Sequence, residues 1–194
     1  MTTAAKPKRS PGRPREFDEA DVLDRIMGVF WAKGYEGTSV SDLESATGLL
    51  KGSLYAAFGS KAEMYIRALT RYHAEMVVVG ADALDASENP EAALRGFMSA
   101  PLEDASGHGC FLCNASADRA DADTATSEQV ARSFARLEAA IAGLVARTRP
   151  SWDAAACQQR ASLLLTTYAG LRILSRSKAD RNMMQRAVKA ALEF

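Results

Sequence analysis

At 194 residues, with 47% apolar and 25% charged side chains and 24 basic against 24 acidic groups, the sequence has the make-up of one soluble folded unit rather than a disordered or fibrous chain. No run approaches the roughly 18 apolar residues of a membrane span, and no secretory leader pattern opens the chain. Three cysteines, an odd number, do not suit a disulfide framework, so the expected address is the cytoplasm, with reduced thiols and no membrane partner.

Overall neutrality conceals an asymmetry. Residues 1–15 carry Lys6, Lys8, Arg9, Arg13 and Arg15 and no acid, whereas residues 79–194 are close to balance. Residues 1–17 combine these cations with three prolines and little apolar mass, too little to offset the entropy of ordering, and read as a flexible basic arm. From Asp18 the pattern changes. Val22, Leu23, Ile26, Met27, Phe30 and Trp31 recur at helical spacing until Gly34, predicting a first helix over about residues 18–34.

Ser39 with Asp42 three residues on is a helix-start pattern, and Val40, Leu43 and Ala46 share a face before Gly48, so a short second helix is expected at 40–47. A third, barely two turns long, spans 51–58, with Leu54 and Phe58 four apart and Gly59 ending it. Ser60 and Glu63 form another capping box, and Met64, Tyr65, Leu69, Tyr72 and Met76 carry a long fourth helix. Asn89 and Pro90 mark the next start. Residues 101–109 are turn-rich, and 109–116 read as a buried helical turn or two. Thr126 and Gln129 cap a helix that ends before Pro150, and two apolar stripes, at 154–175 and 181–193, complete the chain. No alternating strand pattern occurs. The fold class is all-α with about nine helices, arranged as an arm at 1–17, a small helical unit at 18–62 and a larger helical body at 63–194.

Two very short helices joined by a glycine-containing link and braced by longer ones match a helix-turn-helix, whose second helix enters the major groove. The segments KGYEGTSV (33–40), DLESATG (42–48) and KGSLYAAFGSK (51–61) resemble the TetR family, the tetracycline-repressor-like one-component regulators. The resemblance is specific over about residues 18–75; beyond them, only the helical layout and GCFLCN (109–114) look like one branch of that family.

The resemblance implies that Thr38, Tyr55 and Lys61 contact phosphates, that Lys51 and Ser53 lie at the DNA-facing start of the third helix, and that Phe58 anchors it. It also implies a homodimer formed through the last two helices, palindromic double-stranded DNA half-sites as partner, and a small-molecule effector cavity among the central helices. The sequence departs from the family pattern at Leu50, where a small polar cap is usual, and at Ala56 and Ala57, which leave little side chain for base readout. Apolar contacts with thymine methyls, hydrogen bonds from Lys51 or Ser53, and DNA shape then carry specificity. The unit PGRPR (11–15) resembles an AT-hook core, which places Arg13 and Arg15 in a narrow minor groove or on phosphates.

For the effector, the candidate lining residues are Phe97, Met98, Phe111, Cys113, Asn114, Trp152 and Tyr168, against plain core packing for each apolar member. Asn114, a polar amide in a buried turn, needs either backbone or ligand partners. Cys110 and Cys113, preceded by His108, admit three readings: buried structural thiols, a thiol or electrophile sensor, or a soft-metal site such as one for Cu(I). A four-ligand zinc site would have only Cys157 and His73 left to draw on, and a thioredoxin-like role lacks its βαβ context. Two histidines, no paired catalytic carboxylates and no phosphate loop argue against an enzyme, and no cofactor or metal is called for.

Overall fold

A computed structural model describes residues 17–194; residues 1–16 of the expected arm, with Arg13 and Arg15, lie outside the described residues, and Phe17, expected in the arm, instead stacks on Phe58 at the edge of the first core. The helices are α1 Glu19–Lys33, α2 Val40–Thr47, α3 Lys51–Phe58, α4 Lys61–Tyr72, α5 Val79–Asp85, α6 Pro90–Glu103, α7 Phe111–Asp118, α8 Thr124–Thr148, α9 Ala154–Arg176 and α10 Arg181–Leu192. A π-helical segment, His73–Val78, joins α4 to α5 without a break, so the expected fourth helix runs on to Asp85 and nine separate rods are present among the described residues. None of them is long and apolar enough to cross a membrane.

The predicted starts and stops have visible causes. Asp18 caps α1 by accepting from the Ala20 N–H, and reciprocal capping boxes form at Ser39 with Asp42 and at Ser60 with Glu63. Asp42 also meets Lys33 at 2.6 Å, and this partner, followed by the Ser39 cap bonds, holds its carboxyl far below the usual range. Gly48 closes α2 in the left-handed conformation expected of a helix C-cap.

Two expectations need correction. Thr126 is not the cap of α8: Asp123 is, accepting from the Thr126 N–H at 3.0 Å, and Thr126 lies fully buried inside the first turn. Residues 101–103 are helical rather than loop, because α6 continues past Pro101, whose ring is buried in the last turn.

Two apolar cores organise the molecule. The first joins Ile26, Phe30, Leu43, Leu54 and Phe58 to Met64, Tyr65 and Leu69 of α4 and to Phe111 and Leu112 of α7. The expected boundary at 62/63 therefore falls inside one continuous core. Fully burying side chains of this size stabilises by about 1.5–3 kcal/mol each, which ties the small N-terminal unit to α4 and α7. The second core lies among α6, α8, α9 and α10, around Met98, Ile141, Leu144, Leu164 and Met184.

Candidate nucleic-acid interface and cavity

Helix α3 is held by its inner side and offers its outer one. Leu54 and Phe58 are buried, while Lys51, Gly52, Ser53, Tyr55 and Ala56 are exposed. Leu50 supplies no side-chain cap to this helix, as its chemistry requires; Glu44 of α2 does so instead, accepting from the Lys51 N–H at 2.6 Å. Lys51 Nζ lies 5.8 Å from the Tyr55 ring centre, so charge and phenol share one surface.

Immediately beyond Gly59, α4 begins with Ser60 and Lys61. A helix start presents free N–H groups, and Lys61 adds a full charge beside them, an arrangement suited to one phosphate. Lys61 Nζ also sits 4.3 Å from the Tyr35 ring centre, which fixes where that charge is carried.

Thr38 is placed differently. It is 1% exposed and its hydroxyl donates to the Gly34 carbonyl at 2.6 Å, so its side chain shapes the turn before α2 rather than presenting a free donor.

A cavity of about 240 Å³ opens between the π segment, α6, α7 and α9. Val77, Leu112 and Leu137 give it apolar walls, and Phe97 stacks on Tyr168 with ring centres 4.1 Å apart. Its polar end holds Tyr72, Cys110, Tyr168 and Arg172. Of the seven lining residues expected from sequence, Phe97 and Tyr168 are there. Met98 is fully buried in the second core and Phe111 in the first; Cys113 turns its thiol toward the Ala169 carbonyl; Trp152 packs on Phe194 on another face. Asn114 takes the backbone option, donating to the carbonyls of Trp31 at 3.3 Å and His108 at 3.0 Å.

The cavity residues that sequence reasoning missed are Tyr72 and Arg172; Cys110 was singled out as a thiol-sensor or soft-metal candidate but not as part of the lining. Helical periodicity marks Tyr72 as core and Arg172 as surface. The signal for Cys110 was present in its position just ahead of α7, where a thiol meets the helix N-terminus. Its sulfur lies 3.6 Å from the Tyr72 hydroxyl, and a hydrogen bond from Cys113, together with those of the α7 start and Tyr72, holds Cys110 below the ordinary thiol range against the effect of burial. Cys113 is correspondingly pushed up. Among the described residues, no three His, Cys, Asp or Glu side chains gather as a metal-binding group.

A larger cleft, about 470 Å³, runs on the outside between α6 and α10, lined by Arg95, Glu103, Arg181 and Lys189. It has no wall in common with the N-terminal unit. The smaller cavity does, because α7 and the α6–α7 loop touch both: Trp31 Nε1 donates to the Gly109 carbonyl at 3.1 Å, and the Tyr35 N–H donates to Asp118 at 2.5 Å.

Comparison with known proteins agrees with this layout. Residues 22–68 match the family described as bacterial regulatory proteins, tetR family. The HTH-type transcriptional repressor ComR of Escherichia coli K12 is 46% identical over 65 residues, 34% of this chain and 31% of ComR, so the chain matches about a third of that relative's length. The uncharacterised HTH-type regulator YezE of Bacillus subtilis 168 is 30% identical over 134 residues, 67% of this chain and 69% of YezE. Among solved structures, a cysteine mutant of the regulator CifR in complex with a 26-bp operator duplex superposes with a TM-score of 0.77 and 25% identity, over 93% of this chain and 98% of that one.

Proposed function

The chain belongs to the TetR family of bacterial regulatory proteins, and from that premise we propose that it is a homodimeric transcriptional repressor that grips palindromic operator DNA and lets go when a small molecule enters the cavity beside Cys110. The observation that carries the reading is the split character of α3: Leu54 and Phe58 are buried, Lys51, Ser53 and Tyr55 are exposed, and the capped start of α4 with Lys61 stands at its end. Arg13 and Arg15 of the basic arm add minor-groove or phosphate contacts in this reading.

The dimer would form through α9 and α10. In support, α9 turns Cys157, Ala161 and Leu164 inward and leaves Leu163 and Ile173 more than half exposed on its other side, with Met183 of α10 also exposed. Exposed apolar side chains of this size on the outer sides of these two helices fit a self-complementary two-fold contact. Release follows if the effector prefers the conformation whose two α3 helices no longer match half-sites about one helical turn apart.

The test is selection of a duplex from a random pool by the purified full chain, followed by fluorescence anisotropy against that duplex and a scrambled one. A palindromic consensus bound at two chains per duplex is expected; binding without sequence preference would overturn the reading. Deleting residues 1–15 should flatten the salt dependence by about 0.9 log units per lost phosphate contact.

A second reading, regulation through thiol chemistry at Cys110 and Cys113, is favoured by one observation: Cys110 lines the cavity at the start of α7, its sulfur 3.6 Å from the Tyr72 hydroxyl. Full release by every effector from a Cys110→Ser, Cys113→Ser double variant would rule this reading out.

A further inference from the structure

We infer that the effector is a compact carboxylic acid, with an apolar body of one ring or a short chain, whose carboxylate takes Arg172 away from Asp104. The inference rests on the reading of the inner cavity as the effector site.

Among the described residues, Arg172 is the one Lys, Arg, Asp or Glu side chain lining that cavity. Its side chain is only 19% exposed, and its Nε is already committed to the Tyr168 hydroxyl at 2.9 Å. The remaining fork meets a single carboxylate, Asp104, at 3.3 Å, longer than the about 2.7–2.9 Å of a well-formed charged hydrogen bond. Asp104 is not dependent on that contact. Its other oxygen accepts from the Ser106 N–H at 2.9 Å and the Ser106 hydroxyl at 2.6 Å, so it can leave Arg172 without becoming an isolated buried charge. A guanidinium with one poorly placed, replaceable carboxylate is matched best by another carboxylate, able to engage its planar donors in a better geometry.

The rest of the cavity sets the body of the ligand. The stacked pair of Phe97 and Tyr168 borders it beside Val77, Leu112 and Leu137, and its 240 Å³ falls below the roughly 300–1,000 Å³ of sites for drug-sized molecules. One aromatic ring or a short alkyl chain fits that space.

The same exchange reaches the DNA-binding unit. Asp104 begins the loop that ends at Gly109, and this loop holds α1: the Gly109 carbonyl accepts from Trp31 Nε1, and Asn114 bridges the His108 and Trp31 carbonyls. Gly109 lies against α9 so closely that a Cβ there would come 3.1 Å from the Arg172 carbonyl oxygen. A ligand that releases Asp104 therefore frees one end of a loop whose other end is pinned between Arg172's own helix and Trp31. Binding energy is thereby directed at the contact between the two cores rather than spent uniformly on both conformations.

The experiment titrates the full chain by calorimetry with benzoate, phenylacetate and hexanoate, each beside its neutral amide, and then measures release from the selected duplex. At least one acid is expected to bind saturably and to release the DNA, with its amide at least about tenfold weaker. Asp104→Asn should tighten acid binding several-fold, because it removes the competitor, an effect that a merely structural role for Asp104 would not produce. Arg172→Gln should abolish the response, and Arg172→Lys, which keeps the charge, should retain a weakened one. Amides binding as well as acids, unchanged affinity in Asp104→Asn, or no acid binding at all would overturn the inference. Intact operator binding with no acid response would sink only the ligand class; loss of all sequence-specific DNA binding in the unmodified chain would sink the regulator reading itself.

Discussion

The carboxylate of Glu44 accepts the Lys51 N–H at 2.6 Å, so that the first helix of the helix-turn-helix caps the second. This is the task that Leu50 cannot perform, and it fixes the angle at which α3 leaves α2. Removing the acceptor with Glu44→Ala should cost about 1 kcal/mol, the usual worth of an N-cap, read as a lowered melting temperature. Adding Leu50→Ser should restore most of the loss by giving α3 its own cap, and a double-mutant cycle measures how much.

Gly34 ends α1 at φ 73° and ψ 178°, a region almost reserved for glycine, and a Cβ there would lie 2.9 Å from Asp118 Oδ2. Gly34→Ala should destabilise by about 1–3 kcal/mol through backbone strain. It should also disturb the Tyr35 N–H bond to Asp118, so chemical denaturation and DNA affinity are expected to fall together.

Tyr55 and Lys61 separate two kinds of backbone contact. Lys61→Ala should weaken binding to all duplexes alike and reduce the salt slope by about 1, while Tyr55→Ala should weaken binding with little change in slope, since no charge is lost. Circular dichroism and anisotropy over a series of salt concentrations check both, and an unchanged affinity in either variant would remove that residue from the interface.

His73 lies in the π segment with its Nδ1 2.9 Å from the buried Ser133 hydroxyl, and burial, then the charge of Arg132, holds it below its ordinary value of 6.5. The unfolded chain therefore binds the proton first as pH falls. Its contribution to stability is fully present above the unfolded value and is lost as pH drops through 6.5 toward the folded value. The melting temperature should fall between about pH 7 and pH 5, and His73→Gln should flatten that part of the profile.

How much of this was legible before folding depends on how locally each feature is determined. The capping boxes at Ser39 and Ser60, the stop at Gly59 and the inward pair of Leu54 and Phe58 follow from residues within four positions of one another, and the structure has them as expected. The cavity does not. Phe97 and Tyr168 were found because aromatic rings at core spacing are conspicuous, but Met98 and Trp152 have the same local signature and face elsewhere. Helical periodicity reports which side of a rod is apolar, and it cannot report which of several neighbouring rods that side meets.

By itself, then, the sequence determined the all-helical class, the ends of the short N-terminal helices and the exposed chemistry of α3, because hydrogen-bond capping and the 3.6-residue repeat act over one or two turns. Only the tertiary structure decided that Glu44 caps α3 and that Cys110, Tyr72 and Arg172 share one cavity. These relations join residues from 7 to 100 positions apart, and they exist because burying the two cores fixes how the helices pack. In Arg172 the difference is plainest: as a letter it is one surface cation in a balanced C-terminal half, and in the fold it is a largely buried charge between Tyr168 and Asp104.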